Sequence, residues 1–214
     1  MSPNPRHGTP AGDATIAIRG LARQTGADVQ ELMTLYALEG LLARIARSEY
    51  RDDFVLKGGV LLAAFAARRP TDDSDLQATS ITGDPEEVAE RVQVIAALDV
   101  ADGLVFDPAS VTATTIRDED EYAGVRVKLA ATLGTARLTV GMDVNFGDPI
   151  WPAPRLLDLP RVVPLGLPPV TLLGYPLTMV LAEKVVTAID RGIANTRWRD
   201  FADVYALTRL HPVD

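Results

Sequence analysis

The residues best suited to chemistry are a pair of glycines after a short apolar run and a pair of aspartates further along the chain. The run 54–56 leads into Gly58 and Gly59, and Asp73 and Asp75 follow. Two carboxylates two residues apart on a strand point to the same face, where they can share a divalent ion. A glycine pair permits a tight turn whose backbone N–H groups face an anion at the start of a helix. The pattern predicts a phosphate site beside a metal site, as phosphoryl or nucleotidyl transfer requires.

A third carboxylate lies within an apolar segment. Asp143 is the one charged residue in the stretch 140–144, where an unpaired carboxylate would be costly. We therefore expect a cation beside it. The chain has no Cys, and only His7 and His211 offer imidazole. Any metal must then be held by carboxylates, which favours Mg²⁺, with Mn²⁺ as the alternative.

Each of these motifs has a plainer interpretation. A lone Gly-Gly pair is most often a turn or a packing device, and a lone Asp-x-Asp pair is most often a solvated strand edge. Lys57, before the glycines, either neutralises phosphate or is a solvated lysine at a strand end. The combination of glycines, paired aspartates and a third carboxylate in one chain is what favours a functional site.

The C-terminal part offers further candidates with two interpretations each. Lys184 lies among apolar residues on a predicted helix and either snorkels to solvent or points into a site. Asp200 begins the last helix, where it either stabilises the helix dipole or serves the site. Trp198, between Arg197 and Arg199, either packs in the core or stacks on a base.

Composition limits the class of protein. The 214 residues are 47% hydrophobic, which suits one globular domain with a real core. No apolar run reaches the length of a membrane span, and the N-terminus lacks the apolar core of a secretory signal. We therefore expect a cytoplasmic protein without membrane attachment. The net charge of −8 argues against nucleic acid as a partner, but the acids are concentrated between residues 70 and 175, so both chain ends can still present positive potential.

The elements that must position these residues follow from periodicity and turn signals. Helix spacing, capping residues and alternation predict the following order. Helices 15–24 and 28–48 precede strand 54–56, helix 60–67, strand 74–80, helix 85–98, strands 103–116, 123–133 and 135–145 with a hairpin turn at 133–135, a short strand 161–163, and helices 176–191 and 199–210. We predict an α+β fold: a mixed β-sheet flanked by helices, divided into a disordered tail (1–13), a core with N-terminal helices (14–165) and a C-terminal helical lobe (166–214) that completes the site.

Taken in order, these motifs resemble a known family. The segments Lys57-Gly-Gly, Arg69-Pro-Thr-Asp-Asp-Ser-Asp-Leu, the strand around Asp143, Glu183-Lys184 and Arg199-Asp-Phe-Ala-Asp are similar to those of the AbiEii/MenT nucleotidyltransferase toxins, which belong to the DNA polymerase β-like nucleotidyltransferase superfamily. The likeness covers roughly residues 50–208. It implies a nucleotidyltransferase fold and a toxin of a type IV toxin–antitoxin system. The glycine turn departs from the common Gly-Ser form, so its backbone N–H groups would act without a hydroxyl.

The resemblance also implies roles for individual residues. Asp73, Asp75 and Asp143 would bind the metal, and Asp143 would also activate the acceptor hydroxyl. The remaining residues with implied roles are Lys57, Gly58, Gly59, Arg69, Thr71 and Lys184 for the nucleotide, and Asp200 for positioning. Arg197, Trp198 and Arg199 are candidates for RNA contact on their residue types, as a cationic-aromatic cluster, and not by resemblance. The Thr71 hydroxyl, two residues before a metal ligand, is also a candidate for inhibitory phosphorylation.

The function implied is a magnesium-dependent transfer of nucleotides from an NTP to the 3′ acceptor end of tRNA, which would block translation. An antitoxin encoded nearby would be the protein partner. One alternative keeps the chemistry and changes the acceptor to a protein hydroxyl or a small molecule, which suits the acidic chain better than RNA does. Another is a non-catalytic interaction module, although the presence of all three carboxylates counts against it.

Overall fold

The structure, a computed structural model, describes residues 6–68, 71, 73–117, 123–147, 149–163, 165–191 and 198–211. Its helices and strands alternate along the chain as a mixed α+β protein. The helices are α1 (Pro10–Thr25), α2 (Val29–Ile45), α3 (Gly58–Leu61), α4 (Pro85–Ala96), α5 (Leu177–Arg191) and α6 (Trp198–Leu210), with a 3-10 turn at Leu62–Phe65. The strands are β1 (Phe54–Lys57), β2 (Asp73–Ala78), β3 (Leu104–Arg117), β4 (Ala123–Leu133), β5 (Ala136–Asn145), β6 (Arg155–Leu159) and β7 (Val170–Gly174).

The seven strands form one sheet in the order β3-β4-β5-β2-β1-β7-β6. Two of its pairings, β2 with β5 and β1 with β7, are parallel, and the others are antiparallel. The predicted hairpin turn is confirmed, because Leu133 pairs with Ala136 across Gly134. The mixed sheet with flanking helices confirms the predicted fold class.

One face of the sheet is covered by helices. Alternate residues of β4 and β5, such as Val127 and Met142, are fully buried, as the two-residue period of a strand requires. Helix α2 contacts β5 and β7, α4 contacts β3, and α1 packs on α2. Nearly every residue of α2 from Leu32 to Ile45 is buried. The other face is left to polar residues of the central strands.

The N-terminal helix starts earlier than predicted. α1 begins at Pro10, where the Thr9 hydroxyl accepts a hydrogen bond from the Gly12 N–H (3.1 Å), and proline suits the first helical turn. The predicted disordered tail is therefore wrong over residues 10–13, because this cap was overlooked. Residues 1–5 lie outside the described part of the chain.

The proline-rich segment after β5 also differs from the prediction. The strand expected at 161–163 is wrong, and two strands, β6 and β7, lie on either side of it and pair with each other. β7 falls within the predicted helical lobe 166–214 and yet joins the sheet beside β1, with Leu56 opposite Gly174. The helix expected at 60–67 is divided into α3 and the 3-10 turn, which ends at Ala66 with a φ of 58°.

A buried ion pair fixes α2 to the loop before β3. The side chains of Arg44 and Asp102 are 2% and 1% exposed, and Arg44 Nη1 donates to Asp102 Oδ2 at 2.7 Å. Arg44 also donates to the carbonyls of Gly40, Leu98 and Leu104. Nearly all its donors are satisfied, which is the condition under which a buried charge is tolerated.

Asp102→Ala should destabilise the protein by about 3–5 kcal/mol, because it leaves a buried guanidinium without its counter-charge. Urea unfolding followed by circular dichroism measures this. The matched control is Asp52→Ala, since the Asp52 carboxylate pairs with Arg51 at the surface (3.6 Å), where an ion pair contributes about 0–1 kcal/mol. Equal losses for both variants would contradict the importance of the buried pair.

Candidate active site

Four charged residues lie side by side across the polar face of the sheet. Lys57 on β1 pairs with Asp75 on β2, Asp75 with Asp143 on β5, and Asp143 with Arg126 on β4. Residues directly opposite on neighbouring strands project to the same side. We call Lys57, Asp75, Asp143 and Arg126 the charged row. Across the sheet, the two carboxylates lie in the middle of the row and a cation lies at each end.

Asp73 lies on the same face of β2 as Asp75 of the charged row, and a glycine on β5 faces it. Asp73 pairs with Gly141 on β5, and a Cβ on Gly141 would lie 1.8 Å from Asp73 Oδ1. Similarly, a Cβ on Gly58 would lie 1.9 Å from Asp75 Oδ2. The two missing side chains make the space that the two carboxylates occupy. Asp73, Asp75 and Asp143 are thus brought onto one face of two adjacent strands.

The carboxyl group of Asp75 is partly buried next to other carboxylates. Burial raises the pKa of Asp75, and the charge of Asp143 raises it further. The positive charge of Lys57 and a hydrogen bond from the Gly59 N–H lower that pKa, while Asp73 adds a smaller rise. Neighbouring carboxylates repel each other when both are ionised. A cation placed between them would relieve this repulsion.

Asp143 is held by Arg126, which the sequence reasoning missed. Arg126 Nε donates to Asp143 Oδ1 (2.8 Å) and Nη2 donates to Oδ2 (2.6 Å), a bidentate pair of the strong kind. The carboxylate raises the pKa of Arg126 by hydrogen bonding and by its charge. The expected cation beside Asp143 is therefore present within the chain. The predicted hairpin could have revealed it, because the turn at 133–135 fixes the register that pairs residue 126 with 143.

The glycine turn directly follows Lys57, at the end of the charged row. Gly58 has a φ of +68°, a left-handed conformation that favours glycine, and the Gly59 N–H is directed to Asp75. Lys57 Nζ lies 3.4 Å from Glu183 Oε1 and 5.5 Å from the centre of the Tyr175 ring. The contact between Glu183 and Lys57 was not predicted, because the sequence motif that contains Glu183 does not show which residue its carboxylate faces.

Lys184 faces the last helix. Its Nζ donates to Asp200 Oδ1 (2.9 Å) and to Asp203 Oδ2 (2.7 Å), and all three side chains are largely buried. Lys184 does not snorkel to solvent: its ammonium fixes α6 to α5. Asp200, in the first turn of α6, and Asp203, one turn later, thus both form an ion pair with Lys184. Removing Lys184 would leave two buried carboxylates without this counter-charge, so its loss would also loosen the helix pair.

The remaining predicted residues are dispersed. The Thr71 hydroxyl donates to the backbone carbonyl of Asp73 (3.1 Å), which places it next to the start of β2. Trp198 and Arg199 lie at the exposed start of α6. Arg69 and Arg197 lie outside the described residues.

The carboxylates suit a hard cation that arrives with a substrate. Within the described ranges, no group of three or more His, Cys, Asp or Glu side chains is close enough to hold a metal ion by itself. Mg²⁺ is usually bound through one or two carboxylates together with substrate phosphates and water, rather than by a cage of protein ligands. Asp73 and Asp75, with space cleared by Gly141 and Gly58, fit that mode of binding.

The fold is similar to those of several crystal structures, among them two that are described as a putative nucleotidyltransferase and a nucleotidyltransferase-like protein. JHP933 from Helicobacter pylori aligns with a TM-score of 0.51 and 14% identity over 83% of this chain and 63% of its own. A putative nucleotidyltransferase from H. pylori aligns with a TM-score of 0.54 and 16% identity, over 86% of this chain and 70% of its own. An antigenic nucleotidyltransferase-like protein from Paracoccidioides brasiliensis aligns with a TM-score of 0.51 and 15% identity, over 81% of this chain and 76% of its own. The chain thus spans less than two thirds of the length of JHP933.

These likenesses establish the fold, at identities too low to carry function. No protein of curated function matches the sequence. None of the described helices has the length and apolar character needed to cross a membrane. The sequence model of a single family, described as the nucleotidyl transferase AbiEii toxin of type IV toxin–antitoxin systems, matches residues 40–214 and so includes the charged row and both C-terminal helices. The chain belongs to the AbiEii family of nucleotidyltransferase toxins.

Proposed function

We propose that this protein transfers nucleotides from an NTP to the 3′ end of tRNA in a magnesium-dependent reaction. The observation that carries the proposal is the placement of Asp73, Asp75 and Asp143 on one face of two adjacent strands, with a glycine turn at the end of β1. Family membership supports nucleotidyl transfer and an antitoxin partner. The tRNA acceptor and the identity of the metal are the parts that we add.

The reaction is a displacement at the α-phosphorus of the NTP. The 3′ hydroxyl oxygen of the acceptor forms a bond to that phosphorus, the bond to the β-phosphate breaks, and pyrophosphate leaves with its electron pair. The hydroxyl proton passes to a carboxylate, for which we propose Asp143. Arg126 holds both oxygens of this carboxylate, which fixes its orientation on the sheet.

Asp73 and Asp75 would hold Mg²⁺ together with the phosphates of the NTP. When bound, the ion neutralises the triphosphate and stabilises the charge of the leaving pyrophosphate. We assign the turn at Gly58 and Gly59 to the phosphates; the Gly59 N–H is directed to Asp75 in the structure and would have to leave that carboxylate to face them. Lys57, at the end of the row, adds a positive charge on the same side, and we assign Arg69 and Lys184 to the nucleotide as well, by resemblance alone.

The acceptor is the least constrained part of the proposal. We assign RNA binding to Trp198 and Arg199, at the start of α6, and to Arg197, which precedes them in the sequence. A protein hydroxyl is the second candidate, because a chain with a net charge of −8 repels polyanions unless positive residues are grouped locally. Both candidates use the same chemistry and the same carboxylates.

Radiolabelled NTP incubated with the protein and Mg²⁺ should label total tRNA, and no protein band of a cell lysate. Asp73→Asn is the control variant and should abolish labelling, because it removes a metal-binding carboxylate. Gel electrophoresis followed by sequencing of tRNA 3′ ends gives the readout. If protein bands become labelled and tRNA does not, the acceptor is a protein hydroxyl and the tRNA proposal is wrong. Full labelling by Asp73→Asn would contradict the metal site.

Gly141→Ala should separate activity from stability. Its Cβ would displace the Asp73 carboxylate, and a shift of about 1 Å in a reacting group can cost about a hundredfold in rate. The fold should hold, because the displaced atoms belong to a side-chain end and alanine lowers the backbone entropy of the unfolded chain. Gly20→Ala on α1 is the matched control, since a Cβ there meets nothing within 4 Å. Thermal melts and transfer rates of both variants decide the matter, and a fully active Gly141→Ala would contradict it.

Phosphorylation of Thr71 should inactivate the enzyme. A phosphoryl group adds nearly two negative charges beside Asp73, where it would repel the triphosphate. Thr71→Glu should therefore bind NTP more weakly, whereas Thr71→Val, which removes only the hydrogen bond to the Asp73 carbonyl, should retain most of the affinity. Calorimetric titration of NTP against both variants tests this. Equal affinities would refute the mechanism.

A further inference from the structure

The outward face of α6 carries three exposed aromatic side chains. Trp198, Phe201 and Tyr205 are 68%, 55% and 63% exposed. Their spacing of three and then four residues places them in one stripe along a helix of 3.6 residues per turn. The buried face of the same helix, formed by Asp200, Asp203 and Leu207, lies on the opposite side. Exposed aromatic side chains grouped in this way mark a binding surface.

The charges of α6 are divided between the same two faces. Its acids, Asp200 and Asp203, are buried against Lys184. Its arginines, Arg199 and Arg209, are exposed. The outward side of the described helix is therefore positive, in a chain whose net charge is −8.

Each arginine lies next to one of the aromatic rings. The guanidinium carbon of Arg199 is 6.0 Å from the centre of the Trp198 ring, and that of Arg209 is 5.6 Å from the Tyr205 ring. Arg209 Nη1 also donates to the Tyr205 hydroxyl (3.2 Å). Aromatic rings interleaved with arginines are typical of surfaces that bind single-stranded nucleic acid, where bases stack on the rings and the cations neutralise phosphates.

We propose that Trp198, Phe201 and Tyr205, with Arg199 and Arg209, form a stacking surface for unpaired RNA nucleotides, which we call the α6 stripe. Trp198 and Tyr205 are seven residues apart, so the rings span about 10 Å along the helix, enough for two or three unpaired nucleotides. Because stacking is tolerant of sequence, the stripe binds single strands of any base composition. The choice of RNA over other polyanions rests on the proposed function.

The stripe is attached to the active site through two consecutive residues. Lys184 holds the inner face of α6, and Glu183, the preceding residue of α5, contacts Lys57 of the charged row. An RNA strand stacked on α6 is therefore connected through α5 to the charged row, because α5 contacts both α6 and Lys57.

The test measures binding without catalysis. Fluorescence anisotropy with a labelled single-stranded RNA of mixed sequence, about 12 nucleotides long to cover one site, is recorded without NTP or Mg²⁺. Phe201→Leu and Tyr205→Leu should each weaken binding about fivefold or more, the lower limit for loss of one base stack. Tyr205→Phe, which keeps the ring, should bind within about twofold of the wild type. Trp151→Leu is the matched control, because Trp151 is an aromatic residue 81% exposed and outside α6.

Several results would overturn the α6 stripe. The first is that neither Phe201→Leu nor Tyr205→Leu changes the affinity for RNA. The second is that Trp151→Leu weakens RNA binding as much as those two variants do. The third is that the wild type does not bind single-stranded RNA. Weaker binding of a protein partner by Tyr205→Leu, together with no RNA binding by the wild type, would assign the face to that partner. A wild-type dimer that the leucine variants dissociate in analytical ultracentrifugation would assign it to a second copy. Labelling of tRNA by the wild type, measured separately, distinguishes failure of the stripe from failure of the proposed function.

Discussion

The site depends on the parallel pairing of β2 with β5, which places Asp75 directly beside Asp143. Two adjacent carboxylates in a partly buried position repel each other, and the sheet tolerates them because each has a cation on its outer side. Lys57 flanks one and Arg126 flanks the other. Asp73 then lies against a glycine rather than a side chain. The order of the central strands is therefore an electrostatic requirement as well as a packing arrangement.

Local features of this arrangement could be predicted from the sequence. The alternation of strand residues places Asp73 and Asp75 on one face, and the turn at 133–135 fixes the β4–β5 register. The pairing of β2 with β5 could not be predicted, because it joins segments that are far apart in the chain and leaves no periodic signal. The strands β6 and β7 were missed for a different reason: they pair with each other, but the prolines in the segment that joins them obscure the alternation.

Lys184 illustrates a different limit. Its apolar neighbours in the sequence leave both a snorkelling and a buried side chain open, because the outcome depends on which helix packs against α5. Asp200 and Asp203 belong to a helix whose position relative to α5 is set by tertiary packing. The sequence therefore leaves open both whether this charge is buried and which partner compensates it. Glu183 was missed on the same grounds, since its contact with Lys57 spans 126 positions along the chain.

The Arg126–Asp143 pair also bears on the order of assembly. Both residues lie in one hairpin closed by a tight turn at Gly134, and such hairpins form within about 1–10 μs. The pairing of Asp75 with Asp143 closes a much longer loop and is intrinsically slower. Asp143 can thus be neutralised by its arginine before the second carboxylate arrives, which removes an early barrier to docking β2. The guanidinium that holds this carboxylate in the finished sheet thus belongs to the part of the sheet with the shortest loop to close.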